Sequence, residues 1–223
     1  MLLKKKCKAI IFDMDGTLVD TEPIYYDINK KLYNSLKINH SPAMFASLRG
    51  ISSRLKWTHL KKANNLKLPI DQLMYMSKIM KFVCLKESKI ESIDGVIPLL
   101  TELKMRQIPI GLATSASRLI ADLLLDKMQL HEFFDFTICG DEVKNGKPNP
   151  DIFIEAALGL STNQDGCLVI EDSINGLVAA KKAGMICIAH QSKISDQNLT
   201  KADLIISDYN SSNRMKILDF FDD

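Results

Sequence analysis

The chain has 223 residues and 46% hydrophobic content, which suffices for one large globular domain or for a domain that carries a smaller insertion. Its formal net charge is +2 and its basic and acidic residues are interspersed, so nucleic acid is not expected as a partner. Asp13 and Asp15 interrupt the apolar stretch near the N-terminus, which excludes a signal peptide or membrane span there and favours a cytoplasmic protein without a membrane partner.

The first predicted strand is the apolar run AIIF at residues 9–12, which is typical of a strand buried on both faces of a parallel sheet. It ends in Asp13 and Asp15, and strand alternation points these two side chains the same way. In open α/β sheets the ligand site lies beyond the carboxyl ends of the strands. Two carboxylates held so close repel each other, so the pair predicts a bound cation or coupled proton chemistry. Taken alone, a simple Asp-Gly turn is the alternative interpretation.

Strand signals are absent from residue 22 to about residue 89, where helical signals follow one another. Proline residues lie near the predicted helix starts, and apolar residues recur at helical spacing. A helical insertion above the edge of a sheet accounts for this pattern. We therefore predict an all-helical cap at residues 21–91, inserted into a core that is formed by residues 1–20 and 92–223.

The rest of the chain alternates strands and helices, which predicts an α/β fold with a Rossmann-like parallel sheet and helices on both of its faces. A buried strand at residues 108–113 ends in Thr114 and Ser115. A hydroxyl beside the free backbone N–H groups of a helix start is a natural phosphate contact, although helix capping is the default interpretation.

Two charged clusters follow. Lys147 lies between Gly146 and Pro148, which restrict the backbone and hold the lysine at the sheet edge, where it can neutralise a phosphoryl group. A later apolar strand ends in a second acidic pair, Glu171 and Asp172. Hard oxygen ligands of this number suit Mg²⁺, which binds through one or two carboxylates plus a substrate phosphate. The sequence therefore predicts Mg²⁺ as the cofactor.

The order of these motifs resembles the signature set of the haloacid dehalogenase-like hydrolases. The matching segments are DMDGT at residues 13–17, Thr114 after an apolar strand, Lys147 in GKPNPD, and the pair Glu171-Asp172. The helical insertion is similar to the first cap type of that superfamily, as in its β-phosphoglucomutase-like branch. That branch includes sugar-phosphate and pseudouridine-5′-phosphate phosphatases.

The resemblance implies a role for each motif residue. Asp13 would be the nucleophile, and Asp15 would be the general acid/base. Thr114 and Lys147 would hold the phosphoryl oxygens, and Ser115, next to Thr114, is also predicted to bind the substrate. The Mg²⁺ shell would be formed by Asp13, Asp15 through its carbonyl oxygen, Asp172 and, nearby, Glu171.

The implied activity is Mg²⁺-dependent hydrolysis of a small phosphomonoester, a sugar, polyol or nucleoside phosphate, through an aspartyl-phosphate on Asp13. We expect a monomer. In the segment LRGISSR, Arg49 and Arg54 are predicted to contact the substrate, with a solvated surface position as an equal alternative.

Two other functions remain open. One is a phosphomutase of the β-phosphoglucomutase type, and the other is a non-enzymatic module that accepts a phosphoryl group. For a mutase the resemblance supplies a histidine ten residues after the acid/base, where this chain has Tyr25. Because tyrosine titrates near pH ~10, Tyr25 favours the phosphatase.

Overall fold

The computed structural model describes residues 6–48, 51–191 and 197–222. Its strands are Ala9–Phe12 (β1), Ile110–Thr114 (β2), Phe136–Cys139 (β3), Cys167–Glu171 (β4), Ile186–His190 (β5) and Leu204–Ile206 (β6). They form one parallel sheet in the order β3-β2-β1-β4-β5-β6. The predicted Rossmann-like sheet is confirmed.

Helices connect these strands and form the segment between β1 and β2. The α-helices of the described residues are Glu22–Ser35 (α1), Pro42–Ser47 (α2), Ser53–Ala63 (α3), Ile70–Glu87 (α4), Val96–Met105 (α5), Arg118–Met128 (α6), Asp151–Gly159 (α7), Ile174–Lys182 (α8) and Ser211–Leu218 (α9). Short 3-10 helices lie at His131–Phe133 and Gln164–Gly166. Within the described ranges, no helix combines the length and the apolar character needed to cross a membrane.

Alternation along β1 divides its side chains between the two faces of the sheet. Ile10 and Phe12 belong to the buried cluster shared with α5, α6 and α9, whereas Ala9 and Ile11 belong to the cluster shared with α7 and α8. All four side chains are fully buried, as expected for a parallel strand that helices cover on both faces. Since β1 lies between β2 and β4, its carboxyl end is at the centre of the sheet edge.

The helices α1, α3 and α4 enclose a buried cluster of their own. Its members include Leu32, Tyr33, Trp57, Leu60 and Leu73. The chain leaves and re-enters the sheet layer at one place, where Val19 and Ser92 form an isolated β-bridge. These contacts agree with an insertion, while the division into a cap at residues 21–91 and a core at residues 1–20 and 92–223 stays a prediction.

Candidate active site

Asp13 lies directly after β1 at the centre of the sheet edge, and it is only 6% exposed. The Lys147 ammonium donates hydrogen bonds to Asp13 Oδ1 at 2.6 Å, to Glu171 Oε1 at 2.9 Å and to the Ala113 carbonyl at 3.0 Å. Lys147 is 1% exposed. The structure therefore brings two of the sequence motifs into a buried ion pair, and it links them to the end of β4.

Glu171 is bound by protein donors on both of its carboxylate oxygens. Oε1 accepts from Lys147, and Oε2 accepts from the backbone N–H of Ser173 at 2.6 Å and from its hydroxyl at 2.9 Å. Gly176 leaves room for this carboxylate, since a Cβ there would lie 1.6 Å from Oε1. Glu171 is thus placed to hold Lys147 in position.

The carboxylates around Asp13 have the chemistry of a Mg²⁺ site. Oxygen atoms of Asp13, Glu171 and Asp172 lie within 4.8 Å of one another. Gly16 makes space for Asp172, since a Cβ at Gly16 would lie 2.2 Å from Asp172 Oδ2, and its φ of +81° favours glycine. These hard oxygen donors fit Mg²⁺. Because Glu171 is held by Lys147, Asp13 and Asp172 are the better-placed side chains, and the metal roles of Asp13, Asp15, Glu171 and Asp172 all stay predictions.

The charge balance of the site also fits a bound cation. Burial raises the pKa of Asp13 to about 8 against the opposing charge of Lys147, and the Glu171 charge adds to the increase. Burial acts to lower the pKa of Lys147, but the charges of Asp13 and Glu171 outweigh it and hold that pKa above its ordinary value. One lysine therefore does not balance this cluster, and a divalent cation would favour ionised, nucleophilic Asp13.

Asp15 lies two residues beyond Asp13 and is partly buried. The Thr21 hydroxyl donates a short hydrogen bond to Asp15 Oδ1. Burial raises the pKa of Asp15, while the Thr21 hydrogen bond and the charge of Lys81 oppose the increase. A raised pKa favours the neutral carboxyl, which is the form that can protonate a leaving group.

A cavity of about 410 Å³ lies between this sheet edge and the helices α1, α3 and α4. On the side of the sheet it is lined by Asp13, Asp15, Ser115, Ala116 and Asp172. On the side of the three helices its lining includes Tyr25, Asn29, Tyr33, Lys56, Ser77 and Lys81. Its volume is within the range of about 300–1,000 Å³ that is typical of small-molecule sites.

The remaining residues that the sequence singled out lie in different places. Thr114 is fully buried at the end of β2, and its hydroxyl accepts a hydrogen bond from the Ala116 N–H at 3.1 Å. The Arg54 side chain is 63% exposed and pairs with Asp71 at 2.6 Å, so the structure does not bring it to the cavity. Arg54 therefore occupies a solvated surface position, which is the alternative to substrate contact that its sequence left open. Arg49 lies outside the described residues.

Sequence reasoning did not identify Lys56 and Lys81 as cavity residues. The sequence does contain a pattern that indicates Lys81. This lysine lies at four-residue spacing from Leu73, Ser77 and Leu85, which form the buried face of α4. A lysine in a buried helical stripe is unusual unless it contacts a partner or a ligand. Lys56 is adjacent to buried Trp57 and carries no comparable pattern.

Comparisons with known proteins agree with this geometry. Residues 10–190 match the family model described as haloacid dehalogenase-like hydrolase. The chain is 32% identical over 178 residues to a phosphorylated carbohydrates phosphatase of Thermotoga maritima, covering 80% of this chain and 82% of the relative. It is 26% identical over 203 residues to a validoxylamine A 7′-phosphate phosphatase of Streptomyces hygroscopicus, covering 90% and 93%.

Solved structures with the same architecture include the following two. A β-phosphoglucomutase of Clostridium difficile superposes with a TM-score of 0.85 at 28% identity, covering 96% of this chain and 97% of that one. CbbY of Rhodobacter sphaeroides, in complex with xylulose-(1,5)bisphosphate, superposes with a TM-score of 0.82 at 25% identity, covering 92% and 96%.

Proposed function

The chain belongs to the haloacid dehalogenase-like hydrolases and is a phosphoric monoester hydrolase, and from this premise we propose that it hydrolyses a small sugar, polyol or nucleoside phosphate with Mg²⁺ as cofactor. The observation that carries the proposal is the buried contact of 2.6 Å between Lys147 Nζ and Asp13 Oδ1, with Asp15 lining the same cavity. The cap at residues 21–91 would cover this site and select the substrate.

Asp13 and Asp15 divide the chemistry between them in this proposal. An oxygen of Asp13 attacks phosphorus, so that a new O–P bond forms while the bond to the leaving oxygen breaks. Neutral Asp15 gives its proton to that leaving oxygen. As a carboxylate, Asp15 then takes a proton from a water molecule that attacks the phosphorus of the aspartyl-phosphate, which releases inorganic phosphate and restores Asp13.

The other residues supply charge and position. Lys147 offsets the negative charge that spreads over the phosphoryl oxygens, and Glu171 holds its ammonium in place. Ser115 lines the cavity and would bind a phosphoryl oxygen, while Thr114 fixes the backbone at Ala116. When held by Asp13 and Asp172, Mg²⁺ would neutralise substrate charge so that two anions can approach.

The Asp13→Asn variant tests the proposal with p-nitrophenyl phosphate as substrate. The amide keeps the shape of the side chain but cannot attack phosphorus, so kcat should fall by more than about 100-fold. Asp27→Asn, an exposed change on α1, is the matched control and should leave kcat unchanged. Retention of activity in Asp13→Asn, with the far-UV circular dichroism unchanged, would refute the role of Asp13 as nucleophile.

A phosphomutase is the second candidate, because a β-phosphoglucomutase is among the similar structures. Burial raises the pKa of Tyr25 well above its usual value, and the charge of Asp15 adds to the increase. The hydroxyl therefore stays protonated and is a poor proton carrier near neutral pH. Incubation with β-glucose 1-phosphate and a trace of the 1,6-bisphosphate separates the two candidates. We expect inorganic phosphate, and faster accumulation of glucose 6-phosphate would establish the mutase.

A further inference from the structure

Lys56 brings an ammonium group to the cap side of the cavity, and none of the carboxylates in the described ranges pairs with it. Lys56 Nζ donates to Asn29 Oδ1 at 3.2 Å and lies 5.6 Å from the centre of the Tyr33 ring. Within the described parts of the chain, Lys56 forms no ion pair with a carboxylate. A partly buried ammonium with one neutral acceptor retains unused hydrogen-bonding capacity, since it has three N–H donors.

A second ammonium adds to this charge. Lys81 Nζ lies 4.1 Å from the centre of the Tyr25 ring. Burial lowers the pKa of Lys56 well below its ordinary value, and the charge of Lys81 lowers it further. Burial also lowers the pKa of Lys81, although the charge of Asp15 opposes the decrease. An anion bound in this part of the cavity would stabilise both ammonium groups.

A buried hydroxyl in the cavity lining also lacks an acceptor. Tyr33 is 0% exposed, and among the described residues its hydroxyl oxygen has no hydrogen-bond partner. A buried polar atom without a partner costs about 1–3 kcal/mol, so a ligand oxygen in reach of this hydroxyl would offset that penalty. Among the described residues, the Lys56 ammonium and the Tyr33 hydroxyl thus retain hydrogen-bond donors without an acceptor, and both side chains line the same cavity.

The two lysines lie at different depths relative to the reacting carboxylates. Thr21, which donates to Asp15, directly precedes α1, and Lys81 Nζ lies over the ring of Tyr25 in the first turn of that helix. Lys56 contacts Asn29 and Tyr33, which follow one and two turns further along α1. Lys56 therefore lies further than Lys81 from the reacting end of the cavity. A group that contacts Lys56 would therefore belong to the part of the substrate that leaves as the alcohol.

We infer that Lys56, together with Asn29 and Tyr33, binds a second anionic group on the leaving-group side of the substrate. The inference rests on the proposed phosphatase function and narrows its substrate class. The preferred substrates are phosphomonoesters that carry a further phosphate or carboxylate at the end opposite to the scissile phosphate. Lys56 is then a specificity-determining residue that acts on the leaving group and leaves the transferring phosphoryl group to Lys147.

A matched series of linear six-carbon substrates tests this inference. Glucitol 6-phosphate has a neutral distal end, 6-phosphogluconate has a carboxylate there, and glucitol 1,6-bisphosphate has a phosphate. We expect kcat/KM, measured by phosphate release, to be higher by about tenfold or more for at least one of the doubly anionic substrates, as for a charge-assisted hydrogen bond. The substrate that shows the preference identifies the anion as carboxylate or phosphate.

Variants assign that preference to Lys56. Lys56→Met should reduce the ratio of kcat/KM values, doubly anionic to neutral, by about tenfold or more. Lys62→Met replaces an exposed lysine on the same helix and should leave the ratio unchanged. A ratio near one in the unmodified protein would overturn the inference even if Lys56→Met fails to fold, and an unchanged ratio in folded Lys56→Met would overturn it as well.

Two further measurements separate this inference from the phosphatase function itself. If p-nitrophenyl phosphate is hydrolysed while the series shows no preference for a doubly anionic substrate, the phosphatase stands and the anion subsite is refuted. If no ester is hydrolysed, titration calorimetry of the three compounds with the Asp13→Asn protein shows whether the anion subsite exists. Tighter binding of glucitol 1,6-bisphosphate or 6-phosphogluconate than of glucitol 6-phosphate supports it, and equal binding of all three refutes it.

Discussion

Removing one partner of the buried contact between Lys147 and Asp13 should destabilise the fold far more than removing one partner of a surface contact of the same length. Lys147 Nζ lies 2.6 Å from Asp13 Oδ1, and the two side chains are 1% and 8% exposed. Lys104 Nζ lies 2.6 Å from Asp135 Oδ1, but these side chains are 34% and 45% exposed. Lys147→Met and Lys104→Met therefore form a matched pair in which burial is the main variable.

The expected loss in the free energy of unfolding depends on the dielectric environment of the two charges. At this separation Coulomb attraction is about 2 kcal/mol in water and about 6 kcal/mol at an effective dielectric constant of about 20. Desolvation offsets much of the larger value, yet removal of one partner leaves the other charge buried without compensation. Breaking a buried pair in this way costs about 3–5 kcal/mol, whereas an exposed pair contributes about 0–1 kcal/mol. Lys147→Met also leaves Glu171 without its cation, which favours the upper part of the range.

Urea denaturation of the metal-free proteins at pH 9, above the pKa of about 8 to which burial raises Asp13, measures both changes in the free energy of unfolding. We expect Lys147→Met to lose about 3–5 kcal/mol and Lys104→Met to lose less than about 1 kcal/mol. A double variant with Glu171→Gln should lose less than the sum of the single losses, because the two residues interact directly. Equal losses for Lys147→Met and Lys104→Met would refute the reasoning that burial determines the strength of this contact.

Three further predictions concern the glycine turn, pH and metal. Gly16→Ala places a Cβ 2.2 Å from Asp172 Oδ2 at a φ of +81°, so it should reduce phosphatase activity at least about tenfold. Gly166→Ala is the control, because the nearest atom to its Cβ would lie at 3.4 Å, and it should not reduce the activity. Burial raises the pKa of Asp13 from 3.8 to about 8, so between these pH values the folded protein keeps a proton that the unfolded chain has lost. The melting temperature of the metal-free protein should therefore fall as pH rises across this window. Asp13→Asn should flatten that dependence, and an unchanged slope would contradict it. EDTA should abolish hydrolysis of p-nitrophenyl phosphate and Mg²⁺ should restore it; full activity in EDTA would exclude the metal site.

The sequence by itself determined the sheet and the location of the acidic residues on it. An unbroken apolar run at Ala9–Phe12 predicts a strand covered on both faces, and the structure buries all four side chains. Helix α6, at Arg118–Met128, is one of the helices expected from the alternation of strands and helices, because apolar spacing and helix ends are local signals. Helix α8 begins at Ile174 because the Ser173 hydroxyl accepts a hydrogen bond from the Gly176 N–H and caps the helix there.

The tertiary structure alone decided which partners the charged residues acquire. Lys147 and Asp13 are 134 residues apart, and nothing local in the sequence shows that Glu171 holds the same ammonium while Ser173 occupies its other oxygen. In a helix each successive side chain is rotated by about 100°, so the packing of α1, α3 and α4 decides which of their positions face the cavity. That packing directs Lys56 to the cavity, while Arg54, two residues earlier, lies at the surface.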